Sequence, residues 1–328
     1  MDFLTIQPGA SIVLPFTPGA PEQVHVFSGD EILAVNAALA SRRALLVRGE
    51  PGTGKTQLAK AAAVALRRAF ISGAVDARTD ARDLLWHFDA VRRLGEAQIQ
   101  GALHAAGGST EAVREALDPH HFIQPRALWW GFDWPRAKSQ AEASGAATPT
   151  LLEGTDPQRG VVVLIDEIDK AEPDVPNGLL EALGSGEFTP HGFADTVAIN
   201  GISPLVIVTT NEERALPDAF LRRCIVLHLR LPDERQPLIE HLVARGLAHF
   251  PDLPRELQER AATLVVDDRF RAREENWLPL PGQAEFIDLL RAVKNLTPDN
   301  AARGTMLDRI AGFALRKHPA AGPAAAGP

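Results

Sequence analysis

A glycine-rich stretch at residues 49–56 constrains this chain more than any other part of its sequence. It matches the pattern Gly-x-x-x-x-Gly-Lys-Ser/Thr, in which backbone N–H groups surround a polyphosphate. The lysine of the pattern reaches the outer phosphates, and the final hydroxyl is a ligand for Mg²⁺. The residues expected to bind ATP are therefore Gly49, Glu50, Pro51, Gly52, Thr53, Gly54, Lys55, Thr56 and Gln57.

The segments on either side of this stretch have the character that the pattern requires. Residues 44–47 form an apolar run that predicts a buried strand, and residues 57–66 have the composition of a helix. The helix would begin at the loop, so that the positive end of its dipole faces the anion. The sequence therefore predicts a site for a nucleoside triphosphate.

Composition restricts the class of protein. With 328 residues, 45% of them apolar, the chain can bury the core of one large domain or two smaller ones. A formal net charge of −8 disfavours broad nucleic-acid binding, although a local basic stripe would survive that average. Cys224 is the only cysteine, which excludes an internal disulfide and fits a reducing compartment. Because the sequence has neither a secretory signal nor an apolar run of roughly 20 residues, we expect a cytoplasmic protein without a membrane span.

Alternating strand and helix patterns predict an α/β fold, with a parallel sheet covered on both faces and a small all-helical domain after it. We place an N-terminal arm at 1–24, the nucleotide-binding domain at 25–232, the helical domain at 233–318 and a disordered tail at 319–328. Within the large domain we expect an insert at about 95–160 and a hairpin at about 186–203.

Local patterns in and around the insert give three further predictions. Thr79 is expected to cap a helix that begins near Asp80. Residues 122–130 are typical of a strand or hairpin arm, and the Ala/Ser/Gly-rich residues 137–160 of a flexible surface loop.

An acidic pair, Asp166 and Glu167, directly follows the aliphatic run at 161–165. At the end of a strand beside a phosphate loop, Asp166 could hold Mg²⁺ and Glu167 could act as general base on the attacking water. An isolated Asp-Glu pair is otherwise an ordinary acidic turn, but its position after a phosphate loop favours the functional interpretation.

Two more polar positions follow the acidic pair along the chain. Asn211 ends the apolar strand at 205–210, where its amide could hold the attacking water or the γ-phosphate, although Asn at a strand end is often only a turn former. Arg222 and Arg223 stand between a short helix and the next strand. Either could neutralise charge on a transferred phosphoryl group, and a basic helix end explains them equally well.

Together, these motifs resemble those of an AAA+ ATPase and are most similar to the MoxR-like branch. The resemblance extends over roughly residues 25–300 and is specific because its motifs occur in a fixed order. They are Gly49–Thr56, Val161–Lys170, Val208–Asn211 and Leu216–Arg223.

The resemblance implies a P-loop domain of three αβα layers, a helical lid and assembly into a ring, usually a hexamer. It assigns Lys55 and Thr56 to the phosphates and Mg²⁺, Asp166 and Glu167 to the Walker B pair, and Asn211 to sensor 1. Arg223, or Arg222 in its place, would be the finger that reaches a neighbouring subunit's site. MoxR-like proteins resemble chaperones that remodel a protein client, often beside a partner with a von Willebrand factor A domain.

The sequence departs from the family pattern at sensor 2. The matching stretch, residues 280–286, contains no arginine, and Arg291 lies about two helical turns further on. Two other functions stay open beside protein remodelling. One is a nucleic-acid-directed AAA+ motor or loader, for example in a bacterial defence complex, which the acidic balance disfavours. The other is a nucleotide switch with little turnover, which the complete Walker B and sensor 1 motifs disfavour.

Clustered aromatic and histidine residues allow two interpretations each. The tryptophans of the insert could form a partner-binding patch, but a local core is favoured for Trp129, Trp130 and Trp134. Phe188, His191 and Phe193 could line the ring channel or pack in the core. His120 and His121 have no further ligand at metal spacing, which favours a solvated pair.

Overall fold

The computed structural model describes residues 2–15, 21–106, 108–315 and 317–318. The strands are β1 Ser11–Val13, β2 Val24–Val26, β3 Ala44–Arg48, β4 Arg68–Ala74, β5 Trp86–Phe88, β6 Ile123–Pro125, β7 Asp156–Asp166, β8 Glu187–Phe188, β9 Val197–Ala198, β10 Leu205–Thr210 and β11 Cys224–His228. The helices are α1 Gly29–Ser41, α2 Lys55–Leu66, α3 Ala90–Ala105, α4 Thr110–Ala116, α5 Ala127–Phe132, α6 Trp134–Ser144, α7 Asp174–Ser185, α8 Asp218–Leu221, α9 Arg235–His249, α10 Arg255–Glu274, α11 Gln283–Leu296 and α12 Asn300–Leu315. The disordered tail predicted at 319–328 lies outside the described residues.

Contacts divide the chain into two compact units. The first contains Met1–Gln7, Ser28–Arg48 and Leu58–Leu227, and the second contains Pro8–Phe27, Gly49–Gln57 and His228–Pro328. The glycine-rich loop therefore belongs, by its contacts, to the same unit as the C-terminal helices. The domain bounds predicted from sequence stay predictions.

A five-stranded sheet organises the first unit, with strand order β11-β3-β10-β7-β4. β10 runs parallel to both β3 and β7, and β4 runs parallel to β7. The aliphatic run at 161–165 is fully buried in β7, as expected for a central parallel strand. The predicted α/β fold is thus confirmed, with a parallel central sheet, flanking helices and an all-helical region after it.

The second unit has its own apolar core. It is formed by residues at helical spacing on α9, α10, α11 and α12, among them Leu242, Val265, Phe286 and Leu307, each at most 1% exposed. In the same unit, β1 and β2 pair antiparallel. Within the region predicted to be all-helical, the sequence patterns did not single out the long helix α10, because its many charged residues obscure the apolar ones.

Of three local predictions in and around the insert, one is wrong and two are correct only in part. Thr79 does not cap a helix, because its hydroxyl bonds to the Asp76 carboxylate at 3.0 Å and a short 3₁₀ turn, Ala81–Leu84, follows instead. Residues 122–130 form a strand only at β6, and the tryptophans that follow are helical, in α5. Of the loop expected at 137–160, only residues 145–155 lack helix and strand, and the rest belongs to α6 and the first part of β7.

The cause of the error at α6 lies in its small residues. Ala137 and Ala141 are four residues apart and fully buried, so this alanine-rich face packs into the core. The helix has a side-chain cap, since the Asp133 carboxylate accepts the N–H of Arg136 at 3.1 Å. It ends at Gly145 with a φ of +66°, a conformation that glycine adopts readily.

The aromatic residues of the insert and hairpin form one core. Trp129 is fully buried, and Phe188 and Phe193 pack edge-on against its ring, each at a centroid distance of 5.7 Å. Trp130 is also buried and packs against Trp134. The structure therefore supports the core interpretation for the tryptophans and for both phenylalanines of the hairpin.

Candidate active site

The glycine-rich loop joins the end of β3 to the start of α2. Lys55, the first residue of α2, is 7% exposed. Its ammonium donates to the backbone oxygens of Gly49 at 2.8 Å and Glu50 at 2.9 Å. The Thr53 hydroxyl also donates to the Glu50 oxygen, at 2.9 Å. These bonds hold the loop around the lysine, which is the arrangement that a phosphate site requires.

Two glycines of the loop are required by close approach. A Cβ at Gly49 would lie 2.4 Å from the backbone oxygen of Leu229, and one at Gly52 would lie 2.8 Å from the Cβ of Ala284. Gly52 also has a φ of +78°, in the left-handed region. Within the second unit, the loop therefore packs so closely against neighbouring residues that no side chain fits at Gly49 or Gly52.

Glu50 makes a contact that sequence reasoning missed. The guanidinium of Arg269, on α10, donates from Nη2 to both carboxylate oxygens of Glu50, at 2.9 and 2.7 Å. Its Nη1 donates to the backbone oxygen of Pro281 at 3.0 Å. No local pattern could have revealed this pair, because 219 residues separate its members.

The acidic pair lies at the carboxyl edge of the sheet. The registers align Ile165 with Val208 and Arg48 with Thr210, so β7, β10 and β3 end at a common edge, and the loop continues from Arg48. The Asp166 carboxylate accepts the Thr209 hydroxyl at 2.6 Å, and that hydroxyl accepts the backbone N–H of Glu167 at 2.9 Å. A single buried threonine thus positions both members of the pair, a role that was not predicted.

Glu167 and Asn211, which sequence reasoning predicted to act together, are in contact. The Asn211 amide donates to Glu167 Oε1 at 3.1 Å, and Lys170 forms an ion pair with Oε2 of the same carboxylate. The hydrogen bond to Glu167 raises the pKa of the Lys170 ammonium. Glu167 itself has φ +58° and ψ +50°, a strained conformation for a residue with a side chain. Such strain is common where a reactive side chain must point in one direction.

A second buried carboxylate, Asp169, fixes the backbone of Asn211. Asp169 is 2% exposed, and its Oδ2 accepts the N–H groups of Asn211 at 3.1 Å and Glu213 at 2.9 Å. Sequence reasoning missed this role, although Asp169 lies in the quoted motif. A polar residue two positions after an acidic pair was the available signal.

Arg222 and Arg223 follow α8 and are both exposed. Within the described residues, neither guanidinium makes a hydrogen bond or an ion pair inside its own chain. Both are therefore accessible to another molecule. The nearby thiol of Cys224 is 9% exposed, and burial raises its pKa to about 11, so Cys224 is a core residue with a protonated thiol.

Comparison with known proteins identifies the family. Residues 44–224 match the AAA domain family of the dynein-related subfamily, and this match covers more than half of the 328 residues. The chain belongs to this AAA family. The AAA domain is a nucleotide-binding ATPase domain, so the expected AAA+ ATPase is confirmed. No curated protein matches the chain.

Three solved structures resemble the AAA chain over most of its length. The RuvB Holliday junction branch migration motor of Thermotoga maritima has 15% identity and a TM-score of 0.41, covering 85% of this chain and 66% of that one. A point mutant of the same RuvB has 16% identity and a TM-score of 0.44, covering 86% and 68%. A candidate ATPase of Cytophaga hutchinsonii has 14% identity and a TM-score of 0.35, covering 88% and 80%. Identities and TM-scores this low say nothing about the substrate or partner of this chain.

The residues of the AAA domain suit a magnesium nucleotide. The Thr56 hydroxyl of the loop and the Asp166 carboxylate after β7 are each an oxygen ligand of the kind that Mg²⁺ prefers. The described ranges contain no cluster of three or more His, Cys, Asp or Glu residues that could hold a metal ion. His120 instead stacks on Phe193 at a centroid distance of 4.0 Å.

Two further sequence expectations concern the helices. Arg291 pairs with Asp288 at 2.7 Å and donates to the backbone oxygen of Glu22 at 3.5 Å, so its guanidinium already has partners on this side of the chain.

Among the helices that the structure describes, none is long and apolar enough to cross a membrane.

Proposed function

We propose that this AAA+ protein is a MoxR-like ring ATPase that couples Mg-ATP hydrolysis to the remodelling or maturation of a protein partner. The observation that carries the proposal is the network around Glu167. This carboxylate follows a central strand in a strained conformation, and the side chain of Asn211 holds it. Few structural roles require a carboxylate to be fixed in this way, whereas a general base does.

The glycine-rich loop would bind the nucleotide. Backbone N–H groups of residues 49–57 and the ammonium of Lys55 would surround the phosphates, and the dipole of α2 would add to their attraction. Thr56 and Asp166 would hold Mg²⁺, which when bound supplies positive charge to the phosphate oxygens.

Glu167 would orient the attacking water and accept its proton. Asn211 would keep one carboxylate oxygen of Glu167 in place, and Lys170 the other, so that the base points in one direction. Because both contacts are to the base itself, weakening either should lower turnover more than nucleotide affinity.

A ring of identical subunits would complete the site. Arg223 would act as the finger that neutralises charge on the phosphoryl group of a neighbour's nucleotide, with Arg222 as the alternative. Exposure of both guanidinium groups, without partners in the described part of their own chain, supports this assignment. A hexamer is the arrangement expected from the family resemblance.

A protein, rather than a nucleic acid, is the proposed partner. Helix α3 buries none of its residues and exposes four large apolar side chains, Val91, Leu94, Ile99 and Leu103. Exposed apolar faces are typical of protein-binding surfaces, whereas nucleic-acid backbones are bound by basic ones. The net charge of −8 points the same way. A protein client or a von Willebrand factor A domain partner in the cytoplasm fits this description.

A trapping experiment tests the proposal. Glu167→Gln should bind ATP without hydrolysing it and should therefore retain the partner, so pull-down with ATP should enrich one protein over the Lys55→Ala control. Lys55→Ala should lose ATP affinity, because the loop loses its buried cation. Retention of the trapped ring on DNA, with a strong dependence on salt, would favour the nucleic-acid motor instead.

A further inference from the structure

The glycine-rich loop carries a negative charge of its own. Glu50 lies one residue after the first glycine, in a loop whose remaining residues suit a polyanion. A free carboxylate there would repel the phosphates, because like charges close together at a protein surface disfavour each other. The loop therefore needs a group that neutralises Glu50.

Arg269 is that group. Its side chain is 2% exposed, while the carboxylate of Glu50 is 48% exposed. A buried guanidinium loses most of its hydration, and a paired carboxylate must compensate for it. In the Arg260–Asp308 pair, also on α10, both side chains are exposed, so the Arg269 pair differs from it in the burial of its arginine.

Glu50 also links this arginine to the nucleotide-binding lysine. Its carboxylate binds Arg269 at 2.7 Å, while its backbone oxygen accepts the ammonium of Lys55 at 2.9 Å and the hydroxyl of Thr53 at 2.9 Å. One residue thus connects a helix of the C-terminal region to the cation that the phosphates require.

We propose that Arg269 is a positioning residue for nucleotide binding, which neutralises the Glu50 carboxylate and fixes the loop around Lys55. The inference rests on the proposed function, because it assumes that the loop binds ATP. It predicts that removing Arg269 lowers the affinity for ATP because the negative charge of Glu50 is no longer neutralised. Removing that charge should then restore binding.

Equilibrium binding of a fluorescent ATP analogue tests this prediction. Arg269→Met should weaken binding about 10-fold, which corresponds to about 1.4 kcal/mol. The double variant Arg269→Met with Glu50→Gln should recover most of that loss. The matched control is Arg303→Met, which removes another buried arginine, 8% exposed, whose bonds go to Thr297, Pro298 and Asn300.

Each outcome separates the inference from the proposed function. Arg303→Met should lower the melting temperature without changing affinity. Affinity equal to wild type in Arg269→Met, or no recovery in the folded double variant, would overturn the positioning role while ATP binding by wild type stands. If Arg269→Met does not fold, Arg269→Gln replaces it. Glutamine removes the same charge and retains an N–H donor, and its ATP affinity is compared with that of Arg269→Gln combined with Glu50→Gln. A wild-type protein that binds no ATP would overturn the proposed function itself.

Discussion

Replacing Asp169 should damage both stability and turnover, because this carboxylate anchors the strand end that carries Asn211. Its Oδ2 accepts two backbone N–H groups, from Asn211 at 3.1 Å and Glu213 at 2.9 Å. Asp169→Ala removes both bonds and leaves the two donors without their acceptor. Asp169→Asn keeps an oxygen at the same place, and its amide nitrogen can take the position of Oδ1, which has no hydrogen-bond partner within the described residues.

The magnitude follows from these contacts. A hydrogen bond to a charged group contributes about 1.5–3 kcal/mol, so two such bonds give about 3–6 kcal/mol. Asn211 is half-buried and Glu213 is exposed, so water can reach their N–H groups in the alanine variant. We therefore expect Asp169→Ala to lower the free energy of unfolding by about 2–4 kcal/mol. Asp169→Asn should cost only about 1 kcal/mol, since it loses charge but keeps both bonds.

Urea unfolding and steady-state kinetics measure the two consequences. The change in free energy of unfolding gives the stability effect. Because Asn211 holds Glu167, the alanine variant should lose kcat while its affinity for ATP stays close to that of wild type. A stability within 0.5 kcal/mol of wild type for Asp169→Ala, or equal damage from alanine and asparagine, would refute the reasoning.

Three further predictions concern other parts of the chain. Arg223→Ala should keep its ATP affinity but lose most turnover. Mixing it with Lys55→Ala should restore some activity through mixed interfaces. The assignment would be contradicted by no rescue at any mixing ratio in confirmed assemblies, or by a larger loss of turnover in Arg222→Ala. Gly49→Ala should weaken ATP binding at least about 10-fold, because its Cβ would lie 2.4 Å from the backbone oxygen of Leu229. Titration calorimetry with ATP measures this, and an affinity equal to wild type would contradict it. Burial lowers the pKa of His249 to about 4, below the unfolded value of about 6.5. The unfolded state then binds more protons between these values, so stability should fall as the pH falls from 6.5 towards 4, by about 1–2 kcal/mol after allowance for partial exposure. His249→Gln should remove that dependence in thermal melts.

Much of the fold was predictable because its signals are local. The glycine-rich loop, the aliphatic run of β7 and the strand before Asn211 each specify their structure within about ten residues, and all three were located correctly. α6 was missed because alanine and serine gave it a loop-like composition. The cap at Asp133 and the spacing of Ala137 and Ala141 were signals that composition obscured.

α10 was missed for a related reason. Its charged residues conceal an apolar stripe in which Leu257, Ala261 and Val265 are four residues apart and buried. Because some residues of this stripe are small, such as Ala261, the helical periodicity of apolar residues is hard to recognise among the charged ones.

The contacts of the candidate site were predictable only in part. That Glu167 and Asn211 lie at the same edge follows from the rule that parallel strands end at one edge of a sheet, but the hydrogen bond between them was not predicted. The contact between Glu50 and Arg269 has no such rule behind it, because it joins distant segments through tertiary packing. The same holds for Thr209, whose hydroxyl is one of several at strand ends.

Phosphate release by Glu167→Gln, measured beside its ATP affinity, tests the central claim most directly. The substitution replaces one carboxylate oxygen with nitrogen and keeps the shape of the side chain, so binding through the loop should persist. We predict a fall in turnover of at least about 100-fold with ATP affinity close to wild type, as expected for loss of a general base. Turnover equal to wild type in the folded, ATP-bound variant would contradict the assignment of Glu167 and the account built on it.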